Sequence, residues 1–192
     1  MWKYPDGTYK ITPPARVELA GYIYPFTSLS AEQLDSASYN EVIMLKKDPF
    51  YTYTTEWVKD PDFIYREVEL TKTPNIEAMK ADKLAKIQAG KSTARDAGIM
   101  VNGMLFDTDS SARIAYLELS FKLSQDPTYS VQWKANDDGD WVEMNSALFN
   151  DLYVAFGTHL EAVFAWQEVQ SQAVAAASTP EEIAAISDVY GS

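Results

Sequence analysis

At 192 residues the chain can hold one comfortable core or two small ones, since domains commonly run ~100–200 residues. Hydrophobic residues at 46% and charged residues at 23% point to a folded, soluble protein and exclude a disordered or membrane-spanning one. The absence of cysteine excludes disulfides and thiolate chemistry, and a net charge of −12 repels phosphate backbones, so nucleic acid is not an expected partner.

That charge is unevenly spread. All 16 basic residues lie at or before Lys134, beside 18 acidic ones, and the ten acids from Ala135 onward have no Lys or Arg among them. A solvated acidic face that aids solubility is the first reading, and docking to a basic surface the second. Met1-Trp2-Lys3-Tyr4-Pro5-Asp6-Gly7 has neither a basic patch nor an apolar run, so no secretory signal is expected. No stretch approaches bilayer length, so membrane insertion is not expected either.

Composition changes near Thr73-Pro74: through Pro74 lie seven of the nine prolines and eight of the twelve tyrosines, and Ala-rich stretches follow. We therefore expect a small β-rich module over residues 1–73 and a helical domain over 74–192. In the first, Pro5-Asp6-Gly7 marks a turn between short aromatic segments, and Pro13-Pro14 breaks what precedes it. Ser30-Ala31-Glu32-Gln33 fits a capping box opening a short helix to about Ala37. Segments 41–45, 50–59 and 63–70, rich in Tyr, Thr, Val and Ile, predict a small antiparallel meander.

For the second module, Thr73 is the expected helix cap and Pro74 the first helical residue, with the helix covering about Asn75 to Ala97. Ile99 to Phe106 turns through Asn102-Gly103, the preferred pair for a two-residue hairpin. Asp107 and Asp109 are expected to cap a helix reaching about Leu123. A second hairpin should pair Tyr129–Ala135 with Trp141–Met144 through Asn136-Asp137-Asp138-Gly139-Asp140. A long helix from Asn145 to about Ala177 places Leu148, Leu152, Phe156, Leu160, Val163 and Phe164 on one face. Thr179-Pro180-Glu181-Glu182 caps a last short helix through Thr179. The expected class is α+β: a Tyr-rich antiparallel sheet module, then a helical domain with two hairpins and one long C-terminal helix.

Enzymatic readings fail on the residues they need. Ala89-Gly90-Lys91-Ser92-Thr93 looks like the end of a phosphate loop, but the glycine required five residues before Gly90 is Ala85, and the segment reads as helix already. His159 is the only histidine, lies within the long helix, and is expected to have a surface or packing role. No G-x-S-x-G elbow occurs. Asp137, Asp138 and Asp140 fail EF-hand spacing, which wants glycine where Trp141 stands. Neither a metal, a cofactor nor an enzymatic activity is expected. Among the aromatics, Trp133 is assigned to packing, whereas Tyr22, Tyr24, Tyr51, Tyr53, Trp57 and Trp141 are candidate contacts for a partner or a glycan.

From about Lys80 to Ile186 the chain resembles an uncharacterised family of phage-encoded domains found near tail-fibre genes. The likeness rests on Ala94-Arg95-Asp96, Phe106-Asp107-Thr108-Asp109, Trp133-Lys134 before an Asp-rich turn, and Ser178-Thr179-Pro180-Glu181-Glu182. The turn at Asn136 to Asp140 is longer and more acidic than that family's pattern. The first ~75 residues, within the size of a small domain, resemble the module that precedes it in tail-fibre-assembly-like proteins, through Leu29-Ser30-Ala31-Glu32-Gln33-Leu34 and Pro49-Phe50-Tyr51. The resemblance implies a non-enzymatic phage tail protein partnered with a tail fibre, trimeric by the symmetry of such tails, as an assembly chaperone or a retained tip component. The implied location is the host cytoplasm during assembly and, for a retained component, the virion tail. A glycan-binding adhesin at the fibre tip is the alternative. The long helix could also pack against copies of itself in a homo-oligomer.

Overall fold

The computed structural model describes residues 1–136 and 139–191. The protein is α+β and divides into two compact units, Met1–Asn75 and Ile76–Ser192.

In the first unit, strand β1 (Trp2–Lys3) turns back into β2 (Tyr9–Lys10). Asp6 shapes that turn by accepting the Thr8 amide (2.9 Å) and hydroxyl (2.7 Å) on Oδ1. Strands β3 (Arg16–Leu19) and β4 (Tyr22–Pro25) form a separate hairpin. Its turn residues Ala20 and Gly21 both have positive φ, 52° and 83°, as a mirror-type two-residue turn demands. Helix α1 (Ala31–Ser36) starts at the expected capping box: Ser30 Oγ accepts the Gln33 amide at 3.2 Å, and Gln33 Oε1 accepts the Ser30 amide at 2.8 Å. Val17, Phe26 and Leu34 are buried together, with Trp2, Leu29 and Tyr39 packed around them.

The remaining strands, β5 (Asn40–Ile43), β6 (Tyr51–Lys59) and β7 (Tyr65–Pro74), complete a five-stranded sheet in the order β2-β1-β5-β7-β6. Two local expectations change. The three segments do not form a simple antiparallel meander, because β5 pairs with β7 in parallel through Val42↔Tyr65 and Ile43↔Arg66. Antiparallel β1 holds the other edge of β5, and residues 44–50 offer no tight-turn pair, so the chain runs out along β6 and returns along β7, using β6 as the crossover that parallel pairing requires. Thr73 and Pro74 do not open a helix either. They pair with Thr52 and Tyr51 at the end of β7, a position where proline's missing amide is tolerated.

The second unit begins with helix α2 (Ile76–Asp96). Strands β8 (Ile99–Val101) and β9 (Met104–Phe106) follow as a hairpin. Its Asn102 and Gly103 take φ values of 51° and 81°, fulfilling the Asn-Gly expectation. Helix α3 (Ser110–Gln125), strands β10 (Val131–Lys134) and β11 (Trp141–Met144), helix α4 (Ser146–Ala176) and helix α5 (Pro180–Ala185) complete it. Asn145 caps α4, its Oδ1 accepting the Ala147 and Leu148 amides at 3.1 Å each. The core gathers Ile99, Val101, Phe106, Tyr116, Leu119, Leu123, Met144 and Leu152. Along the predicted inner face of α4, Leu152 and Val163 are fully buried, while Phe164 is largely exposed with the Lys91 ammonium 5.7 Å from its ring centroid.

Candidate functional site

The motif blocks at 94–96 and 106–109 meet in one latch between the end of α2, the β8–β9 hairpin and the start of α3. Thr108 is fully buried; its Oγ1 donates to the Arg95 carbonyl at 2.6 Å and accepts the Gly98 amide at 2.9 Å. Asp96 accepts from Arg95 Nε (2.8 Å) and Nη2 (2.9 Å), and from Arg113 Nη1 at 2.6 Å. Arg113 also donates to the Thr108 carbonyl. Hydrogen bonds from Arg95 and then Arg113 hold the Asp96 carboxyl well below the usual carboxylate range, outweighing the opposing effect of burial. The Tyr116 hydroxyl donates to the Asp107 carbonyl at 2.8 Å, and burial pushes its pKa above the ordinary phenol range. Asp96, Thr108 and Arg113 are partnered within the unit, and these contacts fix the hairpin against two helices.

An exposed apolar surface lies between α3 and α4. Helix α3 buries Tyr116, Leu119 and Leu123, yet it also carries Ile114, Leu117 and Phe121 outward, 61%, 71% and 65% exposed. Tyr153 of α4, 68% exposed, stacks on Phe149 with ring centroids 6.3 Å apart. Leu117, Phe121, Phe149 and Tyr153, with Tyr129, Val131 and Trp133, line an open groove of about 1190 Å³; Ile114 lies outside it. A helix that is apolar on opposite faces fits a buried setting, and neighbouring exposed apolar side chains make this surface a candidate interaction site. The sequence reading missed this surface, although its signal was present: Ile114, Tyr116, Leu117, Leu119, Phe121 and Leu123 are too many apolar residues for a single helical stripe.

The residues singled out from sequence scatter. Tyr22 and Tyr24 lie exposed on β4. Tyr51 and Tyr53 lie on β6 beside the Lys72 ammonium, 4.1 and 5.8 Å from the ring centroids. The Tyr53 hydroxyl accepts the Asp48 amide at 3.0 Å, and Trp57 stacks on Tyr9 at 5.9 Å. Those five form separate groups within the first unit rather than one platform. Trp141, in the second unit, is 65% exposed, whereas Trp133 packs on Tyr116 with centroids 5.6 Å apart. Asp109 caps α3 through the Ala112 amide at 2.8 Å. Asp107 is not a second cap: it enters the latch through its backbone, the amide donating to the Ala135 carbonyl at 3.0 Å. Thr179 caps α5 by accepting the Glu182 amide at 3.2 Å, and Glu182 accepts the Thr179 amide in return.

Gly90-Lys91-Ser92-Thr93 is mid-helix in α2. A side chain at Gly90 would meet the Asp188 carbonyl at 2.2 Å, so this glycine lets the C-terminal segment lie against α2. His159 points its Nε2 at the Ala94 carbonyl, 2.9 Å away, and its ring meets Tyr190 edge-on. Asp137 and Asp138 of the acidic turn lie outside the described residues. Among the described residues no three His, Asp or Glu side chains gather as a metal site, and no helix is long and apolar enough to cross a membrane.

Fold and surface together define an α+β protein whose second unit exposes an apolar groove between two helices. That unit is where the family assignment falls: the chain belongs to a family of domains of unknown function (DUF4376), whose model matches residues 78–188. Neither a curated protein nor a solved structure matches the chain.

Proposed function

We propose that this chain is a bacteriophage tail protein that binds a trimeric tail fibre without catalysing a reaction, either as an assembly chaperone or as a retained structural component near the fibre tip. The observation that carries the reading is the apolar groove of the second unit, with Leu117, Phe121 and Tyr153 exposed on its walls. A face of that kind binds protein: aromatic and aliphatic anchors in a concave site supply most of the energy of an interface. The sequence resemblance to phage-encoded domains near tail-fibre genes supplies the partner. The use of Arg95, Asp96 and Thr108 in a structural latch supports binding over catalysis. A chaperone would act in the host cytoplasm, and a retained component would travel to the virion tail.

Co-expression with the tail fibre encoded beside it, followed by size-exclusion chromatography with mass determination, tests the proposal. Co-elution at a defined stoichiometry is the expected result, and probing purified virions then separates chaperone from component. Elution of a correctly folded fibre apart from this chain contradicts the reading. The mass of the chain alone reports whether the groove instead joins copies of itself.

A further inference from the structure

A second concavity in the same unit has a different chemistry. It lies between the start of α3 and the β10–β11 hairpin, has a volume of about 420 Å³, and its polar and aromatic lining includes Trp141, Gln132, Lys134, Asp107, Asp109 and Ser111. That volume falls within the roughly 300–1,000 Å³ of small-molecule sites. Trp141 stands opposite Lys134, and Gln132 opposite Glu143, on the outward side of the hairpin. Tryptophan is usually well buried, so an indole that remains mostly exposed beside a polar cavity calls for a ligand with both an apolar face and polar edges.

Asp107 supplies the second observation. Its backbone is fixed at both ends, the amide on Ala135 and the carbonyl under the Tyr116 hydroxyl. Its half-buried carboxylate receives no hydrogen bond from any described residue. Asp109 differs, being occupied by the Ala112 amide and the Ser111 hydroxyl. An anchored carboxylate without a donor, beside an exposed indole and an exposed Gln132 carboxamide, matches what a saccharide offers: a C–H face to stack and hydroxyls to donate.

We propose that Trp141, Asp107 and Gln132 form a saccharide subsite, with the sugar ring stacked on the indole and its hydroxyls donating to Asp107. Asp107 and Asp109 line the cavity and Glu143 flanks it, and together they outnumber the Lys134 ammonium on the same rim, so the site favours neutral sugars over uronic or sialic acids by net like-charge repulsion. This site does not depend on the fibre reading, because it shares neither Leu117 nor Phe121 with the apolar groove.

Saturation-transfer NMR and calorimetry on the full chain test it, with maltohexaose and hexameric N-acetylglucosamine as neutral probes and trigalacturonic acid as the anionic one. We expect millimolar binding of at least one neutral probe. Trp141→Ala should weaken it tenfold or more and Asp107→Asn several-fold, both variants keeping the wild-type melting temperature and fibre co-elution. Asp107→Asn is isosteric and leaves the backbone contacts in place, so misfolding would not mimic loss of binding. The proposal is overturned if neither neutral probe binds at 10 mM, about the weak limit for a specific site. It is equally overturned if Trp141→Ala or Asp107→Asn binds like wild type, or if the anionic probe binds more tightly than the neutral ones.

Discussion

Helices α2 and α3 both bury one side within the second unit, and they differ in what they turn outward. The exposed positions of α2 are Glu77, Lys86, Gln88 and Thr93, several alanines and a single large apolar residue, Leu84, with the Lys86 ammonium 2.8 Å from Asp82, as on a largely solvated helix. The outer side of α3 carries Ile114, Leu117 and Phe121. A soluble chain can tolerate single exposed apolar residues anywhere, but three at helical spacing beside Tyr153 form a continuous surface. The contrast separates residues that hold the unit together from residues that the proposed partner would cover, and mutations on the two sides of α3 should read out differently.

The largest effect on stability is expected from the inner side. Leu119→Ala removes a buried side chain from the core and should cost ~2–5 kcal/mol, measured by urea unfolding of the full chain. The latch at the start of α3 comes next. Thr108→Val keeps the shape but strands the Gly98 amide without its acceptor, a loss of about 1–3 kcal/mol in the same assay. Asp96→Asn should show its effect in the pH dependence of the melting temperature. The folded Asp96 carboxyl is held below its ordinary value of 3.8, so the unfolded chain takes up the proton first. The deficit of the variant should therefore be full above pH ~4 and close as the pH falls further. A deficit that widens in acid would contradict the ion-pair assignment. The smallest effect is expected on the outer side: Leu117→Ala should change stability by less than about 0.5 kcal/mol, although the same position should matter greatly for binding.

How much of this was legible in the sequence follows from how local each signal is. Caps at Ser30, Asp109 and Thr179 act within three residues of themselves, and each stands at a helix start. The Asn102-Gly103 hairpin is equally local. The β3–β4 hairpin went unplaced because Ala20 occupies a left-handed position that Asn or Gly would have announced. The parallel pairing of β5 with β7 depends on chain segments more than twenty residues apart, which no turn motif encodes. Thr73-Pro74 misled because threonine followed by proline opens a helix and closes an edge strand equally well. The tyrosines were visible as a composition, but sequence could not show that they divide between two hairpins. The groove was hidden for the same reason: its walls come from α3, α4 and β10, and only the excess of apolar residues in α3 hinted at it.

The central claim, that the outer side of α3 is the binding face, is most directly tested by co-elution of the tail fibre with the double variant Leu117→Glu/Phe121→Glu, with Leu84→Glu on α2 as the control. The account predicts that the double variant keeps the wild-type melting temperature and loses the fibre by 100-fold or more in affinity, about 2.7 kcal/mol, while the control retains it. Fibre binding that survives the double variant, or is lost equally in the control, would contradict the claim.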